Sequence, residues 1–170
     1  MGTRVRKSRY RRRVLRTAAI SLSAILLLAT ILLNLFTHVL AVVRYYGDGM
    51  EPTLSGGQYL VLLRTQDVEQ NDVVAFYYNN KLLVRRIIGE GGQQISISRN
   101  GTVSLNNQPL DEPYLLAPSF GQCNLTFPFY IPPNEFFVLG DNRAISMDSR
   151  LAEIGTIPSE RILGKLLFAF

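Results

Sequence analysis

The sequence has few of the side chains from which metal centres and catalytic triads are usually built. Its 170 residues include one cysteine, Cys123, and one histidine, His38. A single cysteine excludes an internal disulfide framework and any cysteine-based zinc site. A single histidine excludes a histidine-rich metal site, and its place inside a long apolar run argues against a Ser-His-Asp triad. We therefore expect neither a metal nor a cofactor.

Acidic side chains are missing from residues 1–16, which carry eight lysines and arginines. The net charge of the whole chain is +5, so the remaining 154 residues sum to −3. A nucleic-acid-binding domain spreads its basic residues over a folded face, whereas this charge is confined to one terminal segment. The charge distribution argues against nucleic acid as a partner. Wholesale disorder is also excluded, because 47% of the residues are apolar.

Residues 17–43 form an apolar run in which His38 is the only ionisable side chain. As a helix this run would span ~40 Å, which exceeds the ~30 Å hydrocarbon core of a bilayer. The apolar region of a cleavable signal peptide has only about 7–15 residues, so the run predicts an uncleaved, single-pass membrane anchor. Because basic residues crowd its N-terminal flank, we expect residues 1–16 in the cytoplasm and residues 44–170 outside the cell membrane.

The region after residue 44 shows no sustained 3.6-residue period. Short runs rich in β-branched and aromatic residues alternate with turn residues instead, which predicts a mainly β, antiparallel outer domain. The predicted strands are residues 58–64, 72–78, 82–88, 94–98, 102–105, 135–139 and 161–168. Asn79 and Asn80 are expected to form a hairpin turn. Residues 106–134, rich in proline, asparagine and aromatics, are expected to form a long irregular excursion.

One hairpin can be predicted in register. A two-residue turn between its strands would place the two apolar rows on opposite faces of the sheet. A three-residue loop, residues 99–101, pairs Ile97 with Val103 and Ile95 with Leu105 instead. That loop requires a left-handed residue at its last position, and the sequence has a glycine there. We favour the second register.

Three segments carry the most specific pattern in the chain. They read GDGMEPTL at residues 47–54, VRRIIG at residues 84–89 and GDNRAISMDSR at residues 140–150. In this order, downstream of an anchor and within an all-β region, they resemble the bacterial type I signal peptidases over nearly the whole chain. The resemblance implies a signal-peptidase-like antiparallel sheet or barrel that follows one transmembrane helix.

Enzymes of that family cleave signal peptides with a Ser–Lys dyad, and the resemblance places the two dyad positions at Gly49 and Arg85. Glycine has no oxygen with which to attack a carbonyl carbon. A buried lysine can lose its proton and act as the base, whereas arginine, with a pKa above ~12, stays protonated. We therefore predict that the chain has no ordinary signal peptidase activity.

The resemblance also assigns roles to residues around the replaced dyad. Ser146 occupies the position that orients the dyad lysine. Asp141 would pair with Arg86, and Asp148 with Arg150, as ion pairs beside the site.

Further residues near Gly49 can be assigned expected roles. Asp48 lies next to Gly49 in the sequence and is expected to form a salt bridge with Arg85. The backbone N–H of Gly49 could donate to a bound carbonyl. Met50, Pro52 and Leu54 are expected to line a peptide-binding cleft close to the membrane surface.

Three functions remain open from the sequence. The first is a non-catalytic accessory factor or chaperone at the cell surface, resembling the signal-peptidase-like proteins that assist pilus assembly in Gram-positive bacteria. Its partners would be the membrane and a secreted protein or peptide, with pilin and sortase as candidates. The second is an active peptidase with a non-standard nucleophile, for which Asp48 and Ser146 are candidates. The third is a modulator of a true signal peptidase.

Overall fold

The computed structural model describes residues 2–170, including the side chains of residues 14–34 and 36–170. It divides into two units, a helical one that ends at Val39 and a β unit, Leu40–Phe170. The β unit contains the three motif segments. The mainly β, antiparallel fold predicted from the sequence is confirmed.

The helical unit is a single helix, α1, Gly2–Val39. Its segment Val14–Val39 has a mean hydropathy of 2.4, is not buried against protein and is long enough to cross a membrane. The predicted anchor, residues 17–43, ends too late, because residues 40–43 belong to a β-strand. An apolar run by itself does not separate a helix from a buried strand, and here pairing with a neighbouring strand decides the conformation. The orientation of the anchor stays a prediction.

The larger sheet of the β unit has seven antiparallel strands in the order β1-β2-β11-β3-β4-β9-β10. Their bounds are β1 Leu40–Arg44, β2 Tyr59–Leu63, β3 Val73–Tyr78, β4 Lys81–Glu90, β9 Glu135–Leu139, β10 Ile157–Pro158 and β11 Ile162–Ala169. A short 3-10 helix, Ser159–Arg161, leads into β11.

The smaller sheet has four strands in the order β7-β6-β5-β8. Their bounds are β5 Gln94–Ile97, β6 Val103–Leu105, β7 Gln108–Pro109 and β8 Phe129–Tyr130. All seven strands predicted from the sequence are present, with ends that differ by no more than two residues. The four strands missed are β1, which was assigned to the anchor, and three strands of only two residues each.

Both predicted hairpin turns are present. Ile97 pairs with Val103 and Ile95 with Leu105, and all four side chains are buried, so the favoured register is confirmed. The glycine that closes the 99–101 loop has a φ of +90°, the left-handed conformation that this loop requires. In the other hairpin, two left-handed asparagines at positions 79 and 80 join paired residues of β3 and β4.

The excursion, residues 106–134, packs against the hydrophobic core. Phe120, Phe127 and Phe129 lie against a buried cluster that includes Ile95 and Phe137. This cluster draws its buried residues from both sheets and joins them. The excursion contains β7 and β8, and its Tyr114 lies against Arg86 of the second motif segment.

Two glycines with positive φ allow the cost of backbone strain to be distinguished from the cost of a steric collision when each is replaced by alanine. Gly101 has a φ of +90°, and a β-carbon there would lie 2.7 Å from Cα of Ser119. Gly92 has a φ of +87° and open space around the same position. We expect Gly92→Ala to cost about 1–2 kcal/mol of stability through backbone strain, and Gly101→Ala to cost clearly more because the backbone of the excursion must move.

Thermal unfolding of the full chain in detergent, followed by circular dichroism, measures the difference. Equal losses of Tm in the two variants would show that the excursion is not held against the hairpin loop.

Candidate functional site

The three motif segments meet at one place in the β unit. Residues 47–54 connect β1 to β2, residues 84–89 belong to β4, and residues 140–150 follow β9. The backbone N–H of Asn142 donates to the carbonyl oxygen of Gly49 over 3.0 Å. Gly140 is required for this approach, because a β-carbon there would collide with Ser146 and with the carbonyl oxygen of Gly49.

Gly49 and Arg85, the two positions that the resemblance assigns to the dyad, face each other. A β-carbon placed on Gly49 would lie 3.3 Å from Nη2 of Arg85. The guanidinium therefore occupies the space beside the position where a side chain at residue 49 would begin. The two sequence-predicted positions form one site.

Arg85 is a buried cation, with 5% of its surface exposed. Its Nε donates to the carbonyl oxygen of Met147 over 2.8 Å, and its Nη1 donates to that of Val84 over 2.5 Å. Burial lowers the pKa of Arg85, while the charge of Asp148 and the hydroxyl of Tyr45 act in the opposite direction. The cation is thus held mainly by neutral carbonyl groups.

The predicted salt bridge between Asp48 and Arg85 does not form. Among residues 14–34 and 36–170, no carboxylate oxygen lies within 4.0 Å of the Arg85 guanidinium. The Asp48 side chain is exposed and turns towards Gly56, where a β-carbon would lie 3.5 Å from its Oδ1. Adjacency to Gly49 in the sequence did not predict this direction, because the loop turns the Asp48 side chain towards Gly56 while Arg85 lies against Gly49.

A cavity of about 190 Å³ opens above Arg85. Its lining combines a short glycine-containing loop, the start of β4, and two apolar side chains of the 140–150 segment. The lining residues are Tyr45, Tyr46, Gly47, Asp48, Gly49, Leu82, Leu83, Arg85, Ile145 and Met147. The lining is mixed, because four aliphatic side chains lie beside one cation, Arg85, and one carboxylate, Asp48.

The predicted cleft residues Met50, Pro52 and Leu54 do not line this cavity. Met50 and Leu54 are 0% and 2% exposed and belong to the core, while Pro52 is exposed outside it. The Leu54 N–H donates to the Met50 carbonyl oxygen over 2.9 Å, a turn that directs both apolar side chains inwards. A cleft role for Met50 and Leu54 is therefore wrong, while that of Pro52 stays a prediction.

Tyr45 is a site residue that sequence reasoning missed. It is 3% exposed, and burial raises the pKa of its hydroxyl, whereas the Arg85 charge and the Met50 backbone N–H lower it. The hydroxyl thus lies between Arg85 and the loop that carries Gly49. No motif covers Tyr45, and only the pairing of β1 with β2 places it here.

The predicted ion pair between Arg86 and Asp141 is present beside the site. Asp141 is fully buried and accepts from Nε and Nη2 of Arg86 over 2.9 and 2.5 Å. The hydroxyl of Thr53 donates to the same carboxylate over 2.5 Å. The centre of the Tyr114 ring, from the excursion, lies 4.0 Å from Cζ of Arg86. One carboxylate thus connects all three motif segments.

The second predicted ion pair, Asp148 with Arg150, is fully buried, with an Nε–Oδ1 distance of 2.8 Å. Asp148 also accepts from the backbone N–H of Gly140 over 3.1 Å. Arg150 donates to the carbonyl oxygen of Phe120 over 2.8 Å. The pair fixes the shape of the 140–150 segment and attaches the excursion to it.

Ser146 is buried, and its Oγ has no hydrogen-bond partner among the side chains that the structure describes. The resemblance assigns this hydroxyl to the orientation of a lysine. The longer guanidinium of Arg85 extends to Met147 instead, which leaves the hydroxyl unpaired. Neither Ser146 nor Asp48 is hydrogen-bonded to a group that could act as its base within the described part of the chain.

Strand β4 has a free edge next to the cavity. Residues 81–86 pair with β3 on one side, but β9 covers only residues 86–90 on the other. In the described sheet no strand pairs with Leu82 or Leu83 on that second side. Such an edge offers unpaired backbone groups to an additional strand.

Comparison with known proteins agrees with this architecture. The family model described as signal peptidase, peptidase S26, matches residues 16–170. Signal peptidase IB of Staphylococcus aureus (strain N315) is 34% identical over 145 residues, which cover 73% of this chain and 74% of that relative. A probable signal peptidase I-2 of Synechocystis is 33% identical over 135 residues, covering 72% of this chain and 59% of that relative.

Among solved structures, a signal peptidase I from Enterococcus faecalis V583 is similar to this chain with a TM-score of 0.50 and 28% identity. The match covers 59% of this chain and 97% of that structure.

The buried Asp148–Arg150 pair predicts a large effect of a small substitution. Asp148→Asn leaves Arg150 as an uncompensated charge in the interior, and we expect a loss of about 3–5 kcal/mol. Asp72→Asn is the matched control, because its partner Lys165 is 29% exposed and 3.3 Å away. The control should cost no more than about 1 kcal/mol.

The free energies of unfolding in urea, measured on the full chain in detergent, compare the two variants. A loss at Asp148 as small as that at Asp72 would contradict a structural role for the buried pair.

Proposed function

The chain belongs to the signal peptidase family, peptidase S26, and we propose that it is a non-catalytic member that binds a secreted polypeptide. The single observation that carries this proposal is the pairing of Gly49 with Arg85 at the centre of the site. The relatives are named as signal peptidases. The proposed difference in activity therefore lies in these two residues and not in the fold.

The chemistry of acyl transfer supports the proposal. Position 49 supplies no oxygen, and in a serine protease the loss of the nucleophile alone lowers turnover by about 10⁶-fold. Burial lowers the pKa of Arg85, but Asp148 and Tyr45 oppose that change. A guanidinium with an ordinary pKa above ~12 does not serve as the base near neutral pH.

The binding function rests on surfaces that need no catalytic group. The free edge of β4 can pair with an extended chain through backbone hydrogen bonds, and the adjacent cavity can accept one of its side chains. This mode, in which backbone pairing provides affinity and pockets provide selection, is common in peptide recognition.

The biological role that we propose is that of an accessory factor or chaperone in pilus assembly at the surface of a Gram-positive cell. It follows from the resemblance to signal-peptidase-like pilus proteins with a replaced dyad. In this role the anchor holds the β unit at the membrane, where pilin subunits emerge and sortase acts on them.

Restoring the dyad tests the catalytic part of the proposal. The wild-type chain should not cleave a secreted precursor in membranes, whereas Gly49→Ser combined with Arg85→Lys should produce weak cleavage. Lysine removes the guanidinium that now lies 3.3 Å from the β-carbon position of residue 49. The matched control, Gly49→Ala with Arg85→Lys, has the same backbone and base but no hydroxyl and should remain inactive.

Cleavage by the wild-type chain that is lost in Asp48→Asn or Ser146→Ala would contradict the proposal and favour an active peptidase with another nucleophile. Absence of cleavage by a folded double variant would show that the cleft has changed beyond the dyad.

Crosslinking in living cells tests the partner. A photo-reactive residue in place of Ile145, which is 60% exposed at the cavity, should capture pilin or sortase. The same residue in place of Tyr130, which is 69% exposed on the smaller sheet, is the control and should not. Capture of a catalytic signal peptidase at Ile145 would favour a modulator instead.

A further inference from the structure

The cavity beside Gly49 contains a charge that the fold leaves without an opposite charge at close range. Arg85 is 5% exposed and lines the cavity. The four ion pairs formed by the side chains of residues 14–34 and 36–170 involve other residues. Burying a cation is costly unless it is paired or hydrogen-bonded. Arg85 is hydrogen-bonded to neutral carbonyl groups, so its charge remains available to an anion in the cavity.

Two of the acidic groups around Arg85 are engaged elsewhere. Asp148, which has the largest charge effect on Arg85, forms its ion pair with Arg150. Asp48 lines the same cavity but turns its carboxylate towards Gly56. Neither group occupies the space in front of the guanidinium.

The direction of the free donors is set by the hydrogen bonds that Arg85 already makes. Its Nε and Nη1 each donate to a backbone carbonyl oxygen, the Tyr45 hydroxyl is a further hydrogen-bonding neighbour, and its Nη2 faces Gly49. A guanidinium carries five N–H groups in a plane. Because Gly49 has no side chain, the Nη2 side of that plane is reachable from the cavity.

The apolar walls favour the side chain of a bound polypeptide over a small free anion, because its methylene groups can pack against them. Leu82, Leu83, Ile145 and Met147 form these walls. The volume of about 190 Å³ far exceeds the ~10–15 Å³ that one water requires, so a side chain of several atoms fits. The free edge of β4 begins at the same residues and can hold the backbone of that chain.

We propose that Arg85 is a specificity determinant of the cleft, which selects an extended polypeptide carrying a carboxylate at the position that enters the Gly49 cavity. Arginine binds carboxylates through parallel N–H···O bonds, a geometry that lysine does not provide. The inference rests on the proposed peptide-binding function and specifies the chemistry of the ligand.

The test uses the full chain in detergent and a fluorescent host peptide of ten residues with capped ends. Its central position is Glu, Gln, Asp, Asn or Lys, and fluorescence anisotropy measures each Kd. We expect the Glu or Asp peptide to bind about tenfold more tightly than its amide counterpart, as a charge-assisted hydrogen bond in a partly buried site provides. The Lys peptide should bind most weakly.

Variants of the protein assign the preference to Arg85. Arg85→Gln should reduce the ratio of Gln to Glu Kd values to about twofold or less, and Arg85→Lys should leave an intermediate ratio. Lys81→Gln, which removes an exposed cation on the same strand, is the matched control and should keep the wild-type ratio. An equal loss in Lys81→Gln would assign the effect to long-range attraction and overturn the inference.

A further pair of peptides separates two sources of the carboxylate. One ends at the central position with a free C-terminus, and the other has the same end amidated. Tenfold discrimination in this pair, but not between internal Glu and Gln, would assign the site to a chain terminus, which supports a carboxylate site but overturns side-chain selection.

The outcomes also separate this inference from the function on which it rests. Equal binding of the Glu and Gln peptides by the wild-type chain would overturn carboxylate selection and leave peptide binding intact. Absence of binding by every peptide would overturn both.

Discussion

The buried ion pair between Asp148 and Arg150 is the interaction on which the rest of the site depends. Asp148 accepts the backbone N–H of Gly140, so the start and the end of the 140–150 segment are joined through one carboxylate. Arg150 reaches the carbonyl oxygen of Phe120 and attaches the excursion. With this segment closed, Asn142 can donate to Gly49 and Met147 can accept from Arg85. The geometry of the dyad positions follows from a charge pair that touches neither of them.

The residues at the two positions that the resemblance assigns to the dyad lie against each other. Arg85 carries a longer side chain than lysine, and Gly49 carries none, so the guanidinium lies in contact with the position where a side chain at residue 49 would begin. A consequence is visible at Ser146, whose buried hydroxyl has no partner among the described side chains. An unpaired buried hydroxyl costs free energy, and Ser146 bears this cost beside a guanidinium that is hydrogen-bonded elsewhere. The second ion pair, Arg86 with Asp141, maintains the shape of the surrounding segments.

Much of the fold could be predicted from residue patterns because strands and turns obey local rules. Alternation of apolar residues and one glycine were sufficient for the register of the β5–β6 hairpin. Both buried ion pairs could be assigned by resemblance, since GDNRxxSxDSR is a long motif whose residues act on one another. The end of α1 could not be predicted, because residues 40–43 are as apolar as the anchor and become a strand only through pairing with β2. The direction of Asp48 and the inward turn of Met50 and Leu54 depend equally on packing with distant segments.

The sequence by itself determined the membrane-anchor candidate, the class of the β unit and the identity of the residues, Gly49 and Arg85, at the positions that the resemblance assigns to the dyad. These properties follow from composition, periodicity and residue identity, which are local. Tertiary structure alone decided that Arg85 lies buried without a carboxylate beside it and that Tyr45 contributes to its surroundings. It also decided that the cavity walls come from β4 and from Ile145 and Met147. Those features arise where segments far apart in the chain come together, and no short stretch of sequence contains the distances between them.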